Sequence, residues 1–160
     1  MFKLVYTEVM LNYPLFNHRP LVDTFESMGA YLGVKHYERT SAQRMADFIS
    51  SQMHKKLLDH VKTTNSPWAI ITDGSTDASA NHYLVVLLVG LEEDLPKVYL
   101  YCLLKLGVAK DAQALTDTLT NAFEQDGIDQ QMKNKQVSFT SDGKSVMLGR
   151  TNGMLKKQAK

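Results

Sequence analysis

The stretch Ile70-Ile71-Thr72-Asp73-Gly74-Ser75-Thr76-Asp77 decides the fold predicted for this chain. The apolar run from Trp68 to Ile71 is typical of a short buried strand, and small polar residues follow from Asp73 onward. A second segment, Val137-Ser138-Phe139-Thr140-Ser141-Asp142-Gly143, repeats this pattern. Open α/β sheets carry their functional groups at the carboxyl ends of strands. If the two strands are parallel neighbours, Asp73 and Asp142 meet at one edge of the sheet and form a candidate divalent-metal site.

Composition limits the classes of function. The 160 residues, 44% of them hydrophobic and 22% charged, are ordinary for one globular domain. A formal charge of +1 gives no overall basic field, so binding to nucleic acid would need a local basic patch. The single cysteine, Cys102, excludes an internal disulfide and a cysteine-rich zinc module, and it favours an intracellular compartment. Residues 1–16 lack the long apolar run of a signal peptide or membrane span, so we expect no membrane partner.

The spacing of apolar runs predicts an antiparallel meander. Only residues 78–82 separate Asp77 from the apolar run Tyr83 to Leu91, and five residues are too few for a crossover helix. The interval from Gly90 to Pro96 is predicted to be a turn, and Lys97 to Val108 a third strand. The unbroken apolar run also predicts that the second strand is central and buried on both faces.

Helices are predicted before and after the meander. Thr40 to Val61 begins with a capping box and continues with apolar residues at steps of three and four. A shorter helix begins near Pro20 and is expected to end near Gly33. After the meander, Asp111 to Gln125 is predicted to be a crossover helix, so the strand Gln136 to Thr140 can lie parallel to the first.

The predicted fold class is therefore α/β. It is a partial ribonuclease-H-like fold, with an antiparallel three-strand meander, a parallel fourth strand and preceding helices. We expect one partial domain over residues 1–160, with a helical lead-in over residues 1–65 and the sheet with its helices over residues 66–160.

The same residues resemble a known family. Ile70 to Asp77, the strand after it and Val137 to Lys157 are similar to catalytic-domain segments of hAT-superfamily transposases and of host proteins domesticated from them. The helix Thr40 to Val61 matches in position, and the resemblance covers most of the chain from about Tyr37. It is fairly specific, because Asp-x-x-Thr-Asp and the later Ser-Asp-Gly-x-x-x-Met-x-Gly-x-x-x-Gly occur in the expected order.

The resemblance implies a metal-dependent nuclease chemistry. In the family, the positions of Asp73 and Asp142 bind the Mg²⁺ or Mn²⁺ ions used for DNA strand cleavage and transfer, and Asp77 is a further candidate ligand. Two carboxylates can hold ions about 3.5–4 Å apart, one ion activating the attacking oxygen and the other stabilising the leaving oxygen. The family's third catalytic residue is a glutamate far downstream, whereas this chain ends at Lys160. We therefore expect a fragment or a derived protein that is not catalytically competent alone, with a nuclear location.

A basic segment follows Asp142. Its residues are interpreted either as contacts to nucleic-acid phosphates or as an ordinary solvated helix end. They are Lys144, Arg150, Lys156, Lys157 and Lys160.

Alternative interpretations stay open. Asp-Gly is a common turn dipeptide, so both aspartates can simply satisfy backbone donors at strand ends. A nuclease fold that has lost its activity can also serve as a nuclear interaction module, as in zinc-finger-like regulators or SUMO-ligase-type relatives. Such a module would bind protein partners or associate with itself. Finally, Asp73 to Asp77 approaches the metal-adhesion motif of von Willebrand A domains, but that fold needs a helix after its first strand.

Overall fold

The computed structural model describes residues 1–33, 35–76, 82–106 and 112–141. These residues fall into two compact units, 1–56 and 57–160, and the helix α3 begins in the first unit and ends in the second. None of the helices in the described ranges is long and apolar enough to span a membrane. The elements in chain order are α1 (Phe2–Met10), a 3₁₀ turn (Leu15–Asn17), α2 (His18–Ser27), α3 (Arg39–Thr63), β1 (Trp68–Thr76), β2 (His82–Glu92), β3 (Leu95–Lys105), α4 (Ala112–Gln125), α5 (Asp129–Lys135) and β4 (Gln136–Ser141).

The second unit contains a four-stranded mixed sheet with the order β3-β2-β1-β4. The β1 strand pairs with β2 antiparallel, β2 pairs with β3 antiparallel, and β1 pairs with β4 in parallel. The chain reaches β4 through α4 and α5, as a parallel neighbour requires. This arrangement confirms the predicted fold class, an α/β fold with a three-strand meander and a parallel fourth strand. That the whole chain is one domain stays a prediction.

One face of the sheet carries the core. Along β2 fully buried and half-buried residues alternate, so the prediction that this strand is buried on both faces is wrong. The reason is that α3, α4 and α5 all contribute side chains to the same core, on the same side of the sheet. Core residues from the strands are Trp68, Ile70, Leu84, Val86, Leu88 and Tyr101, and those from the helices and their connection are Leu57, Val61, Leu115, Leu119, Phe123, Ile128 and Met132.

The β2–β3 turn is tighter than the sequence predicts. Glu93 and Asp94 have φ values of 51° and 63°, which makes a two-residue hairpin of the kind that matches the twist of the strands. Gly90 and Pro96, expected in the turn, lie within the paired strands instead. Gly90 has a packing role there, because a Cβ atom at this position would lie 2.5 Å from Cζ3 of Trp68.

The helix α2 ends six residues before the predicted stop at Gly33. Gly29 adopts a φ of 88°, its amide donates to the carbonyl of Glu26, and the amide of Ala30 donates to the carbonyl of Phe25. These two hydrogen bonds form a Schellman motif, which satisfies the last carbonyls of the helix. Gly29, and not Gly33, therefore ends the helix.

The connection between α4 and β4 fixes where the fourth strand begins. Gly127, with a φ of 63°, follows the end of α4, and Lys62 of α3 donates to the carbonyl of Asp126 at 2.9 Å. The short helix α5, which the sequence did not predict, then leads directly into β4. Its acidic first turn (Asp129) and basic last turn (Lys133 and Lys135) suit the helix dipole.

Candidate metal centre beside β1 and β4

Asp73 lies inside a strand and not at its end. The sequence predicts that strand character ends at Asp73, but β1 continues to Thr76 and Asp73 pairs with Val85 of β2. The turn-like residues Gly74 to Thr76 remain extended because β2 is long enough to pair with each of them. On the β2 side, Asp73 is therefore held by a continuous antiparallel ladder.

The described part of the ladder between β1 and β4 reaches Thr72, the residue before Asp73. The parallel pairs begin with Trp68 and Gln136, shift register after Trp68 and continue to Thr72 with Ser141, the last pair in the described part of the chain. Asp73 and Asp142 each follow one member of that pair directly. This register agrees with the relative position of the two strands that the sequence predicts.

Most of the predicted site residues lie outside the described ranges. They are Asp142 and Asp77 as metal ligands and Lys144, Arg150, Lys156 and Lys157 as phosphate contacts. The described part of the predicted site is thus Asp73 and the strands that flank it.

Asp73 and its neighbour Thr72 face opposite sides of the sheet. Thr72 is buried with Trp68 and Ile70 on the helix-covered side, whereas the side chain of Asp73 is exposed. The buried hydroxyls of Thr72 and Ser141 have no hydrogen-bond partner within the described ranges. Because successive side chains of a strand alternate, those two hydroxyls cannot bind a cation together with Asp73.

The Asp73 side of the sheet carries further polar groups near the strand ends. Ser75, Tyr83 and Lys105 form one cross-strand row on this side, and Lys105 is exposed. On the helix-covered side, the hydroxyl of Thr76 and Nδ1 of His82 are hydrogen-bonded at 2.9 Å. Sequence patterns do not reveal these groupings, because they depend on the β1–β2–β3 register.

A cation on the Asp73 side of the sheet would be coordinated by oxygen ligands. Carboxylate oxygen is the donor that Mg²⁺ and Mn²⁺ prefer, and the side chain of Asp73 has no hydrogen bond or ion pair within the described ranges. No group of three His, Cys, Asp or Glu residues in those ranges could hold a metal ion. Asp73 fits the role of one ligand, and a complete site needs at least one more carboxylate.

Cys102 is not an activated nucleophile. Burial raises the pKa of its thiol to about 12, with a smaller contribution from the negative charge of Asp126. Burial also raises the pKa of the neighbouring Tyr101, whose hydroxyl donates to Oδ2 of Asp126 at 2.7 Å. The interpretation of Cys102 as a small core residue agrees with this environment, since its side chain packs against the core of the second unit.

No protein-family model matches this sequence, and no curated protein matches it either. The resemblance to hAT transposases therefore depends on the motifs quoted above.

Proposed function

We propose that this chain derives from the catalytic domain of a hAT-type DNA transposase and that Asp73 and Asp142 bind Mg²⁺ or Mn²⁺ together. The observation that carries the proposal is the parallel register of β1 and β4, in which Thr72–Ser141 is the last described pair and the two aspartates are the next residues. Adjacent strands are about 4.8 Å apart, so two carboxylates on the same side of neighbouring strands can reach one cation.

Side-chain alternation supports a common side for the two carboxylates. Phe139 of β4 packs against the helix-covered core beside its partner Ile70. Counting on from Phe139 in steps of one, an extended Asp142 falls on the opposite side, which is also the side of Asp73. Two carboxylates that shared this side at neighbouring positions would repel each other, and a divalent cation would relieve that repulsion. Asp77 is a third possible ligand.

Nucleic acid is the proposed partner of the parent protein. The basic residues after Asp142 would contact the phosphate backbone beside the cleavage site. These residues are Lys144, Arg150, Lys156 and Lys157. A nuclear location follows from the same resemblance.

We propose cation binding without turnover for this chain. The family uses a glutamate as its third catalytic carboxylate, and the resemblance matches that glutamate to no residue here. When bound, the cations supply Lewis-acid activation of water and of the leaving oxygen. An assay for nicking of supercoiled DNA by the purified chain should therefore show none.

Calorimetric titration with Mg²⁺ and Mn²⁺ tests the shared site. The wild-type chain should bind one of the two ions, and Asp73→Asn and Asp142→Asn should each abolish that binding while circular dichroism stays unchanged. The matched control is Asp94→Asn, because Asp94 is an exposed carboxylate in the β2–β3 turn, where its φ of 63° suits asparagine equally well. Equal affinity in all four proteins, or no binding by the wild type, would rule the proposal out.

A second candidate function is a non-catalytic interaction module. The observation in its favour is the apolar sheet face opposite the helices, where exposed side chains of β3 continue half-buried rows from β1 and β2. These rows are Ala69–Val89–Val98 and Ile71–Leu87–Leu100. Titration with Mg²⁺ and Mn²⁺ discriminates the two functions, because an interaction module should be insensitive to both ions.

The von Willebrand A alternative loses support. Its fold follows the first strand with a crossover helix, and a crossover leads to a parallel strand. Here β1 pairs directly with the next strand, β2, in the antiparallel sense.

A further inference from the structure

The helix α1 in the first unit exposes its apolar side. Phe2 is 51% exposed and Met10 63% exposed, and Tyr6 and Val9 between them are exposed to a similar degree. Positions 2, 6, 9 and 10 follow one face of a helix, since residues three and four apart are neighbours. A surface helix of a globular protein ordinarily directs such residues into the core.

The buried side of α1 carries an ionisable residue. Val5 and Glu8 are buried there, and Oε2 of Glu8 lies 2.7 Å from Nδ1 of His18, the fully buried first residue of α2. If the helix rotated to bury its aromatic residues, Glu8 would lose this partner. The Glu8–His18 contact therefore fixes the rotation of α1 with the aromatic residues outward.

The helix α3 extends the same apolar surface. Phe48 is exposed, and its ring packs edge-on against Phe2 with 5.9 Å between ring centroids. We name Phe2, Tyr6, Val9, Met10 and Phe48 the α1 aromatic face. Aromatic residues and methionine are the types enriched in the cores of protein interfaces.

We propose that the α1 aromatic face binds the same face of a second copy of this chain, related by a twofold axis. The three aromatic side chains are about half exposed and present about 100 Å² each, because a fully buried aromatic residue covers about 150–250 Å², and we assign a similar area to Val9 and Met10. Two copies would then bury about 1,000 Å² together, which is the lower limit for a stable and specific interface. The proposal does not depend on the metal site.

Charge also favours a second copy as the partner. None of the five side chains is charged, so two identical faces meet without the repulsion between like charges that charged surfaces suffer on self-association. The flanking residues differ in sign: Lys3 precedes Tyr6 on α1, and Asp47 precedes Phe48 on α3. In a twofold interface, Lys3 of one copy can pair with Asp47 of the other, and the reverse.

Sedimentation equilibrium of the full chain across micromolar to millimolar concentrations tests the proposal. The average mass should rise with concentration from 18.0 kDa towards twice that value. Tyr6→Glu and Val9→Glu should each raise the dissociation constant at least about tenfold, since a charge would enter an apolar interface. Tyr6→Phe, which keeps the ring, should retain the dimer. Helical circular dichroism of each variant confirms that it is folded.

Tyr31→Glu is the matched control, because Tyr31 is 83% exposed and lies outside the α1 aromatic face. It should leave the dissociation constant unchanged. The proposal fails if the wild type stays at the monomer mass at every concentration, or if Tyr31→Glu weakens association as much as Tyr6→Glu. It also fails if Tyr6→Glu lowers the melting temperature without changing the mass, because the face would then be covered within one copy.

Discussion

Glu8 of α1 and His18 of α2 form a buried contact, with Oε2 of Glu8 2.7 Å from Nδ1 of His18. Both side chains are almost fully buried, and Oε1 of Glu8 and Nε2 of His18 have no hydrogen-bond partner within the described ranges. Removing one member of a buried pair leaves the other buried without compensation, at a cost of about 3–5 kcal/mol. We therefore expect His18→Ala to lower the free energy of unfolding by about that amount, as measured by urea denaturation.

The exposed ion pair between Arg19 and Asp23 provides the control. Its nitrogen and oxygen atoms lie 2.9 Å apart at the surface, and exposed pairs of this kind contribute about 0–1 kcal/mol. Asp23→Ala should therefore change the midpoint of denaturation far less than His18→Ala. Similar losses for both variants would show that burial does not strengthen the Glu8–His18 contact.

The Glu8–His18 contact shows what the sequence can and cannot predict at this scale. A glutamate and a histidine ten positions apart carry no helical signal, because their contact depends on how α1 and α2 pack. The sequence singles out Asp73 as a candidate site residue, because it directly follows an apolar run. The pairing of Asp73 with Val85 was not predictable, because it depends on the length of β2.

At the scale of elements, Gly90 sets how closely β2 approaches the Trp68 side chain of β1. An added methyl group would lie 2.5 Å from Cζ3 of Trp68, which is less than any normal contact between carbon atoms. Gly90→Ala should therefore destabilise the second unit by about 1–3 kcal/mol through overpacking. Thermal unfolding followed by tryptophan fluorescence measures this directly, because Trp68 is the only tryptophan.

A double-mutant cycle with Trp68→Phe makes that prediction specific. The smaller ring gives the alanine methyl group room, so Gly90→Ala should cost less in the Trp68→Phe background than in the wild type. The double variant has no tryptophan, so the cycle is followed by circular dichroism. Additive effects of the two substitutions would show that the loss comes from the strand backbone and not from contact with Trp68.

Element types were predicted better than element ends. The helix α3, the meander and β4 were all predicted within a few residues of their observed bounds, because α3 and the meander have clear apolar patterns and β4 is rich in β-prone residues. The length of the β2–β3 turn was overestimated, because Glu93 and Asp94 adopt positive φ values that their residue types do not demand. Helices α1 and α5 were missed. The first carries its aromatic residues on the exposed side, and the second is only seven residues long.

At the scale of the whole molecule, the strand order β3-β2-β1-β4 links the fold to the candidate site. It followed from two arguments about connections: five residues cannot hold a crossover helix, whereas the segment between β3 and β4 can. Burial on one face was not foreseen, because an apolar run alone does not reveal on which side the helices pack.

The most direct test of the central claim is whether one cation touches both strands. Mn²⁺ broadens the NMR signals of nearby amides, so a ¹⁵N-labelled chain titrated with substoichiometric Mn²⁺ should lose the signals of Asp73 on β1 and Ser141 on β4 together. The amide of Asp94 in the distant turn should stay sharp, and Asp142→Asn should prevent the broadening on both strands. Broadening confined to one strand, or persisting in Asp142→Asn, would contradict a cation shared by Asp73 and Asp142.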